Sequence, residues 1–189
     1  MKKQKKQFLN NRKMKNLVVV TAFLLISALS FAQNTAFDKY EDNPLIQSVI
    51  VNKTMFQMMS KVKADPKDKE LQQYFNLLKK LDNLKVFTTS NSKLAADMKA
   101  TVVIYLKSNP LEELMRVNSD GKNVKIYVKS GANENIVKEL LMFIEGANMK
   151  DANTIVLSLT GNFNLDEISM LTEKMSLPGG DDLKKASKK

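Results

Sequence analysis

The sequence predicts an α+β fold in which helices cover an antiparallel or mixed sheet. Along the chain, segments in which apolar and polar residues alternate, as is typical of strands, are followed by segments whose apolar residues have the spacing of a helix. A turn signal, Asp120-Gly121, joins two of the strand-like runs. Residues 33–189 are enough for one domain with its own hydrophobic core, and we expect that domain to be soluble.

The chain begins its strand-and-helix alternation at residues 46–52, where Ile and Val alternate with polar residues and predict a strand. A Met-rich helix is predicted over residues 53–63. Asp65-Pro66 predicts the next helix start, with Asp65 as the N-cap and Pro66 as the first helical residue. The buried stripe of that helix is expected to be Leu71, Phe75, Leu78 and Leu81.

A second strand is predicted at residues 84–89, and a third helix opens at Asn91 or Ser92. Apolar residues in this helix recur in steps of three and four, which is the spacing of one buried helical face. That face is formed by Ala95, Met98, Val102 and Tyr105.

The clearest local signal is a hairpin of residues 113–118 and 123–129 around Asp120-Gly121. Asp-Gly is a favoured pair in two-residue turns, and such a turn fixes the register of its strands. A slip of one residue would move every apolar side chain to the other face. The predicted opposite pairs are Ser119–Lys122, Val117–Val124 and Met115–Ile126.

After the hairpin, Asn133 is predicted to cap a helix that stops at Gly146. Its inward residues are expected to be Ile136, Val137, Leu140, Leu141 and Ile144. Residues 154–160 predict a strand apolar enough to be central. From residue 84 the order is therefore β-α-β-β-α-β, that of a ferredoxin-like core. An N-terminal strand-helix-helix unit precedes this core.

Asn164 and Glu167 form an N-x-x-E start for a C-terminal helix. The apolar residues of this helix are Leu165, Ile168, Leu171 and Met175. Pro178-Gly179-Gly180 is expected to end ordered structure. We therefore predict a single α+β domain over residues 33–177 and a disordered Lys-rich tail over residues 178–189.

Residues 1–32 predict a cleavable secretory signal peptide. Lys and Arg without acidic residues precede the apolar run Leu17–Leu29, and Ser30-Phe31-Ala32 has the small residues that signal peptidase reads. Cleavage is expected between Ala32 and Gln33, with a periplasmic or secreted product. The apolar stretch is shorter than the roughly 20 residues of a spanning helix, so no stable membrane span is expected. Met14 is an alternative start to Met1.

The positive charge of the chain is concentrated at its ends. Seven of the 30 basic residues and none of the 20 acidic residues lie in residues 1–32, and four Lys residues lie in the predicted tail. The predicted domain is therefore nearly neutral. A basic protein would suggest nucleic acid as a partner, but this distribution predicts no nucleic-acid binding.

Four segments together resemble a family of exported proteins from Bacteroidetes-type bacteria, domain of unknown function 4252. They are SVIVNKTMFQMM, LMRVNSDGKNVKIYVKS, IVKELLMFIEGA and TIVLSLTGNFNLDEISML, within residues 37–175. The resemblance implies export and an α+β domain. The family has no established activity and no catalytic residues that could be carried over to this chain.

The chain contains no His and no Cys, which excludes Ser-His-Asp triads, thiol catalysis and zinc sites built on those ligands. Two S-x-x-K matches, Ser60/Lys63 and Ser90/Lys93, lack the companion motifs of penicillin-recognising enzymes. The acidic pairs Glu112/Glu113 and Asp166/Glu167 fit a strand and a helix start. The Met cluster of residues 55, 58 and 59 is interpreted as core, with a Cu(I) site as the alternative. No cofactor and no metal are predicted.

The predicted ligand-binding residues lie on the outer face of the hairpin. In the register that buries the valines, that face carries Arg116, Lys125, Tyr127 and Lys129, with Leu114 opposite Tyr127. Cations around an aromatic ring suit an anionic envelope component or protein, although Lys also decorates exposed strands. We therefore expect a non-catalytic binding or interaction module. The alternative is a small envelope hydrolase that uses carboxylate or Ser/Lys chemistry.

Overall fold

A computed structural model of the protein describes residues 36–63, 65, 67–119, 121–133, 135–146 and 153–186. The chain divides into two units, Met1–Asp38 and Lys39–Lys189, and of the first only residues 36–38 are described. The predicted signal peptide, with Ala32 and Gln33, lies outside the described residues. Within those residues, no helix is both long and apolar enough to cross a membrane.

Six strands and five helices occur in the described part of the chain. The strands are β1 (Gln47–Asn52), β2 (Leu81–Thr89), β3 (Glu112–Ser119), β4 (Lys122–Ser130), β5 (Ile136–Gly146) and β6 (Thr154–Asn164). The helices are α1 (Lys53–Met59), α2 (Lys69–Leu78), α3 (Ser92–Ser108), α4 (Ile168–Lys174) and α5 (Gly180–Ala186). Short 3₁₀ turns occupy Asp38–Tyr40 and Leu165–Glu167.

The strands form one sheet in the order β1-β2-β6-β5-β4-β3, and every neighbouring pair is antiparallel. This confirms the α+β class. The predicted strands at residues 46–52, 84–89 and 154–160 are confirmed as β1, β2 and β6, and β6 is central as expected. The sheet has two edges, β1 and β3.

The first face of the sheet carries the larger apolar core. Alternate residues of β2, β4, β5 and β6 point to it, because side chains alternate across a strand. They include Leu84, Val86, Val124, Ile126, Leu140, Met142, Leu157 and Leu159. Helices α1, α2, α4 and α5 cover this face with Phe56, Leu77, Leu78, Ile168, Leu171 and Leu183.

The second face is covered by α3, whose N-cap Asn91 accepts hydrogen bonds from the amides of Lys93 and Leu94. The predicted buried stripe of α3 is confirmed at Met98, Val102 and Tyr105, with Ala95 half-buried and Thr101 added. Beneath α3 lie the other residues of β2, β5 and β6, among them Phe87, Leu141, Phe143 and Val156.

The predicted hairpin register is confirmed. Met115 lies opposite Ile126, Val117 opposite Val124 and Ser119 opposite Lys122. Gly121 has φ 74°, the left-handed conformation that this turn requires of a glycine. The register shifts between Glu113 and Met115, however, so Tyr127 lies opposite Glu113 and not opposite Leu114.

The helix predicted after Asn133 is wrong, because residues 136–146 form β5. Asn133 instead closes a turn, in which its side-chain oxygen accepts hydrogen bonds from the backbone amides of Asn135 and Ile136. The run Leu140–Ile144 is apolar at every position, so it fits a helical stripe and a strand equally well. Both faces of the sheet are covered at this point, and a strand buried on both sides needs such a run. The ferredoxin-like order is therefore not confirmed, since β5 replaces its second helix.

Two predicted helices differ in extent. The first ends at Met59, four residues before the predicted end, and its Met55 and Met58 are 46% and 56% exposed, so the interpretation of these two as core is wrong. Met59 alone of the three packs against the core. Asp65 does not cap the second helix: its carboxylate accepts from the Lys67 amide and Asp68 caps α2 instead.

The predicted stripe of the second helix is confirmed only in part. Leu78 is buried, Leu71 and Phe75 are half-buried against the core, and Leu81 belongs to β2. Tyr74 and Leu77 are the other buried residues of α2.

The last helices also depart from the prediction. Glu167 accepts from the Asn164 amide as the N-x-x-E pattern predicts, and Ile168 and Leu171 are buried. Residues 180–186, predicted as part of a disordered tail, form α5 because Leu183 enters the core and is 1% exposed. Gly179 leads into this helix with φ 78°, and a Cβ there would lie 2.5 Å from Met142 Cε.

Candidate functional site

The four residues predicted to bind a ligand lie together on the second face of the sheet. Arg116 in β3 is directly opposite Lys125 in β4, and Tyr127 and Lys129 follow Lys125 at alternate positions of the same strand. We call these four residues the basic strip. Arg116 is exposed and the other three are half-buried. Their neighbours in β5, by contrast, are buried beneath α3. The strip is therefore a part of this face, at the β3 edge, that α3 leaves open.

Glu113 adds a negative charge to the strip that the sequence analysis did not anticipate. Its carboxylate receives two hydrogen bonds from Arg116, 2.9 Å from Nε to Oε1 and 2.6 Å from an Nη atom to Oε2. This pair lowers the pKa of Glu113 and raises the pKa of Arg116. Residues three apart in a regular strand point to opposite faces. The bulge after Glu113 brings the two side chains to one face, and no sequence signal marked it.

The remaining positive charge of the strip belongs to Lys125 and Lys129. Among the described residues, neither makes an ion pair within 4 Å. Between them, the phenol of Tyr127 is half-buried, and burial followed by the charge of Glu113 raises its pKa. Tyr127 is therefore a neutral ring between two ammonium groups on an open sheet face.

A buried acid lies at the end of the strip, under α3. Glu139 in β5 is opposite Lys129 and 2% exposed, and it accepts a hydrogen bond from the Tyr105 hydroxyl of α3. Burial raises the pKa of Glu139, while the Tyr105 hydrogen bond and the charge of Lys129 act in the opposite direction. This pair was not predicted from sequence, because Glu139 was expected to lie in a helix.

A cavity of about 370 Å³ lies between α4, α5 and the start of β4. Its lining is mixed in charge and includes Lys122, Thr172, Leu177, Asp182 and Lys184. Lys122 Nζ is 2.6 Å from Asp182 Oδ2, so the buried carboxylate of α5 already has a cation. The predicted disordered tail gave no reason to expect a cavity here.

The other chemical candidates lie at or near the ends of helices. Ser60 lies at the end of α1 and donates to the Gln57 carbonyl, while Lys63 is exposed beyond that end. Ser90 and Lys93 are exposed at the start of α3. Glu167 accepts from the Asn164 amide and pairs with Lys80 at 2.7 Å. No group of three or more acidic residues that could hold a metal ion occurs in the described ranges.

Comparison with known proteins identifies a family. A family described as Domain of unknown function (DUF4252) matches residues 40–171. The matched range extends from the 3₁₀ turn before β1 to α4 and includes the whole sheet. No curated protein and no solved structure matches the chain.

Proposed function

The chain belongs to the DUF4252 family, and we propose that it acts outside the cytoplasm as a non-catalytic module that binds an anionic partner through the basic strip. The observation that carries the proposal is the open sheet face on which Lys125 and Lys129 flank Tyr127. Export is proposed from the N-terminal sequence, independently of the strip.

The chemistry of the strip suits a linear anion. Residues at alternate positions of a strand are roughly 7 Å apart, so β4 offers an ammonium group, an aromatic ring and a second ammonium group along one line. Lysines donate charge-assisted hydrogen bonds to carboxylates, and Tyr127 offers a flat surface to a sugar ring. We favour an acidic polysaccharide. A lipid headgroup and an acidic protein surface are the other anionic partners that this arrangement could accept.

The first prediction concerns export. The protein isolated from the envelope or medium of the producing cells is expected to begin at Gln33, which mass spectrometry of its N-terminal peptide would show. Replacing Ala32 with Asp is expected to block cleavage, since signal peptidase requires a small residue at this position. An envelope or secreted protein that retains the apolar run Leu17–Leu29 would contradict the proposal.

The second prediction concerns the basic strip. The double change Lys125→Ser and Lys129→Ser is expected to weaken retention on immobilised polygalacturonate at least tenfold, because the strip loses both unpaired ammonium groups. The thermal melting temperature is expected to fall by no more than several degrees: both side chains reach solvent, although Lys129 also favours the charged form of the buried Glu139 opposite it.

Lys61→Ser with Lys63→Ser is the matched control, because it removes the same net charge from exposed residues outside the sheet. This control is expected to bind as the wild type does. Equal weakening by both double variants would mean that net charge alone governs retention. Unchanged retention of the strip variant would remove the strip from the proposed function.

A further inference from the structure

The two edges of the sheet are built differently. Edge strand β3 carries the charged residues Glu112, Glu113 and Arg116, and its pairing with β4 contains a bulge. Charges and bulges on an edge strand prevent it from pairing with another chain. Edge β3 is therefore protected against strand addition.

Edge strand β1 has none of this protection. Its sequence QSVIVN contains no charged residue and no proline, and its pairing with β2 is regular over all six residues. Val49 is 46% exposed and Ile50 is 43% exposed, although they point to opposite faces of the sheet. No strand of the described ranges pairs with the outer side of β1, and a regular apolar edge of this kind is a template for another strand.

Most of the exposed large apolar residues that the structure describes belong to β1 or to the segments directly before and after it. Nine large apolar residues in the described part of the chain are exposed, and six of them lie between Leu45 and Val62. These six are Leu45, Val49, Ile50, Met55, Met58 and Val62. Exposed apolar residues are therefore clustered along the chain in β1 and the segments next to it, on both faces of the sheet edge, and are not scattered singly over the described residues.

Two lysines beside β1, one directly after it and one in its partner strand β2, are paired within the chain. Lys53 Nζ lies 2.7 Å from Asp82 Oδ1, and Lys85 Nζ lies 2.7 Å from Glu41 Oε1. The edge therefore presents little charge with which to select a different partner. For the same reason it presents no like charges that would repel an identical strand.

We propose that β1 is a homodimer interface, at which it pairs antiparallel with β1 of a second copy of this chain. A two-fold axis perpendicular to the sheet makes such an interface self-complementary. This axis keeps the first faces of the two sheets on the same side. Val49 then contacts the first face of the partner's sheet, and Ile50 contacts its second face. The resulting sheet has twelve strands, and the two basic strips lie near its outer ends.

The oligomeric state of the protein, expressed from its complete gene and purified after processing, tests the proposal. Sedimentation equilibrium at about 50 μM is expected to give twice the monomer mass. Val49→Lys is expected to give the monomer mass, because it places like charges close to the two-fold axis. Ile104→Lys is the control: Ile104 is 65% exposed on α3, outside β1 and the segments next to it in sequence, and its replacement is expected to leave the dimer intact.

The absence of cysteine permits a second measurement. Single cysteines placed in turn from Ser48 to Val51 are expected to form intermolecular disulfides, most readily at the residue closest to the two-fold axis. A cysteine at Leu114, on the other edge, is expected to form none. A monomeric wild type would overturn the proposal, as would a dimer that survives Val49→Lys with no cross-link from β1.

Discussion

Replacing Val124 with Asp is expected to unfold the protein at 25 °C. Val124 is 1% exposed in β4, and its neighbours across the sheet are Val117 and Ile144. A carboxylate at this position would be buried without a cation, which costs several kcal/mol against a total stability of about 5–15 kcal/mol. Far-UV circular dichroism and a urea titration would measure the loss.

Val103→Asp is the matched control, because Val103 is 47% exposed on α3. It is expected to cost no more than about 1 kcal/mol, which is the usual effect of a surface change combined with a small loss of helix propensity. A Val124→Asp protein that melts within a degree or two of the wild type would contradict the burial of the hairpin.

The hairpin could be predicted from sequence because two independent constraints agree. The Asp-Gly turn sets the pairs of residues that face each other, and the alternation of Val and Ile sets which side is buried. Only one register satisfies both constraints. The same register placed Lys125, Tyr127 and Lys129 on one outer face, so these members of the candidate site were also predictable.

Strand β5 could not be predicted because its sequence is apolar over a full helical turn and more. Leu140–Ile144 satisfies the spacing of either structure, and Asn133 and Gly146 resemble helix ends. The choice between helix and strand is made by the sheet, in which this segment lies between β4 and β6 and pairs with both. The Tyr105–Glu139 pair depends on this strand and was therefore missed with it.

The bulge in β3 and helix α5 depend on contacts between distant parts of the chain. The bulge changes the face of Glu113, and with it the charge of the basic strip. Helix α5 is held by Leu183 in the core and by the Lys122–Asp182 ion pair. The sequence Pro178-Gly179-Gly180 before it is of a kind that usually ends ordered structure. Local patterns do not include either contact.

Replacing Tyr105 with Phe is expected to lower the free energy of unfolding by about 1–3 kcal/mol at pH 8, since a buried carboxylate then loses a hydrogen-bond donor. Glu139 is 2% exposed, and Tyr105 is 3% exposed above it. The cost is expected to be smaller at pH 4, where more of the carboxyl is protonated and its hydrogen bond is no longer charge-assisted. Urea denaturation at both pH values would give the two differences.

The pH dependence of the free energy of unfolding tests whether Glu139 is the group that makes stability depend on pH. Burial raises its pKa above the value of 4.5 for a free side chain, so the folded protein holds this proton more tightly than the unfolded chain does. Its contribution to stability is therefore present below pH 4.5 and is lost as the pH rises through the folded pKa. Glu139→Gln cannot titrate and keeps an acceptor for Tyr105, so its stability is expected to fall less than that of the wild type over this range.

Equal slopes of unfolding free energy against pH for the wild type and Glu139→Gln would show that the buried carboxylate does not control this part of the fold. A Tyr105→Phe cost that is the same at pH 4 and pH 8 would show the same.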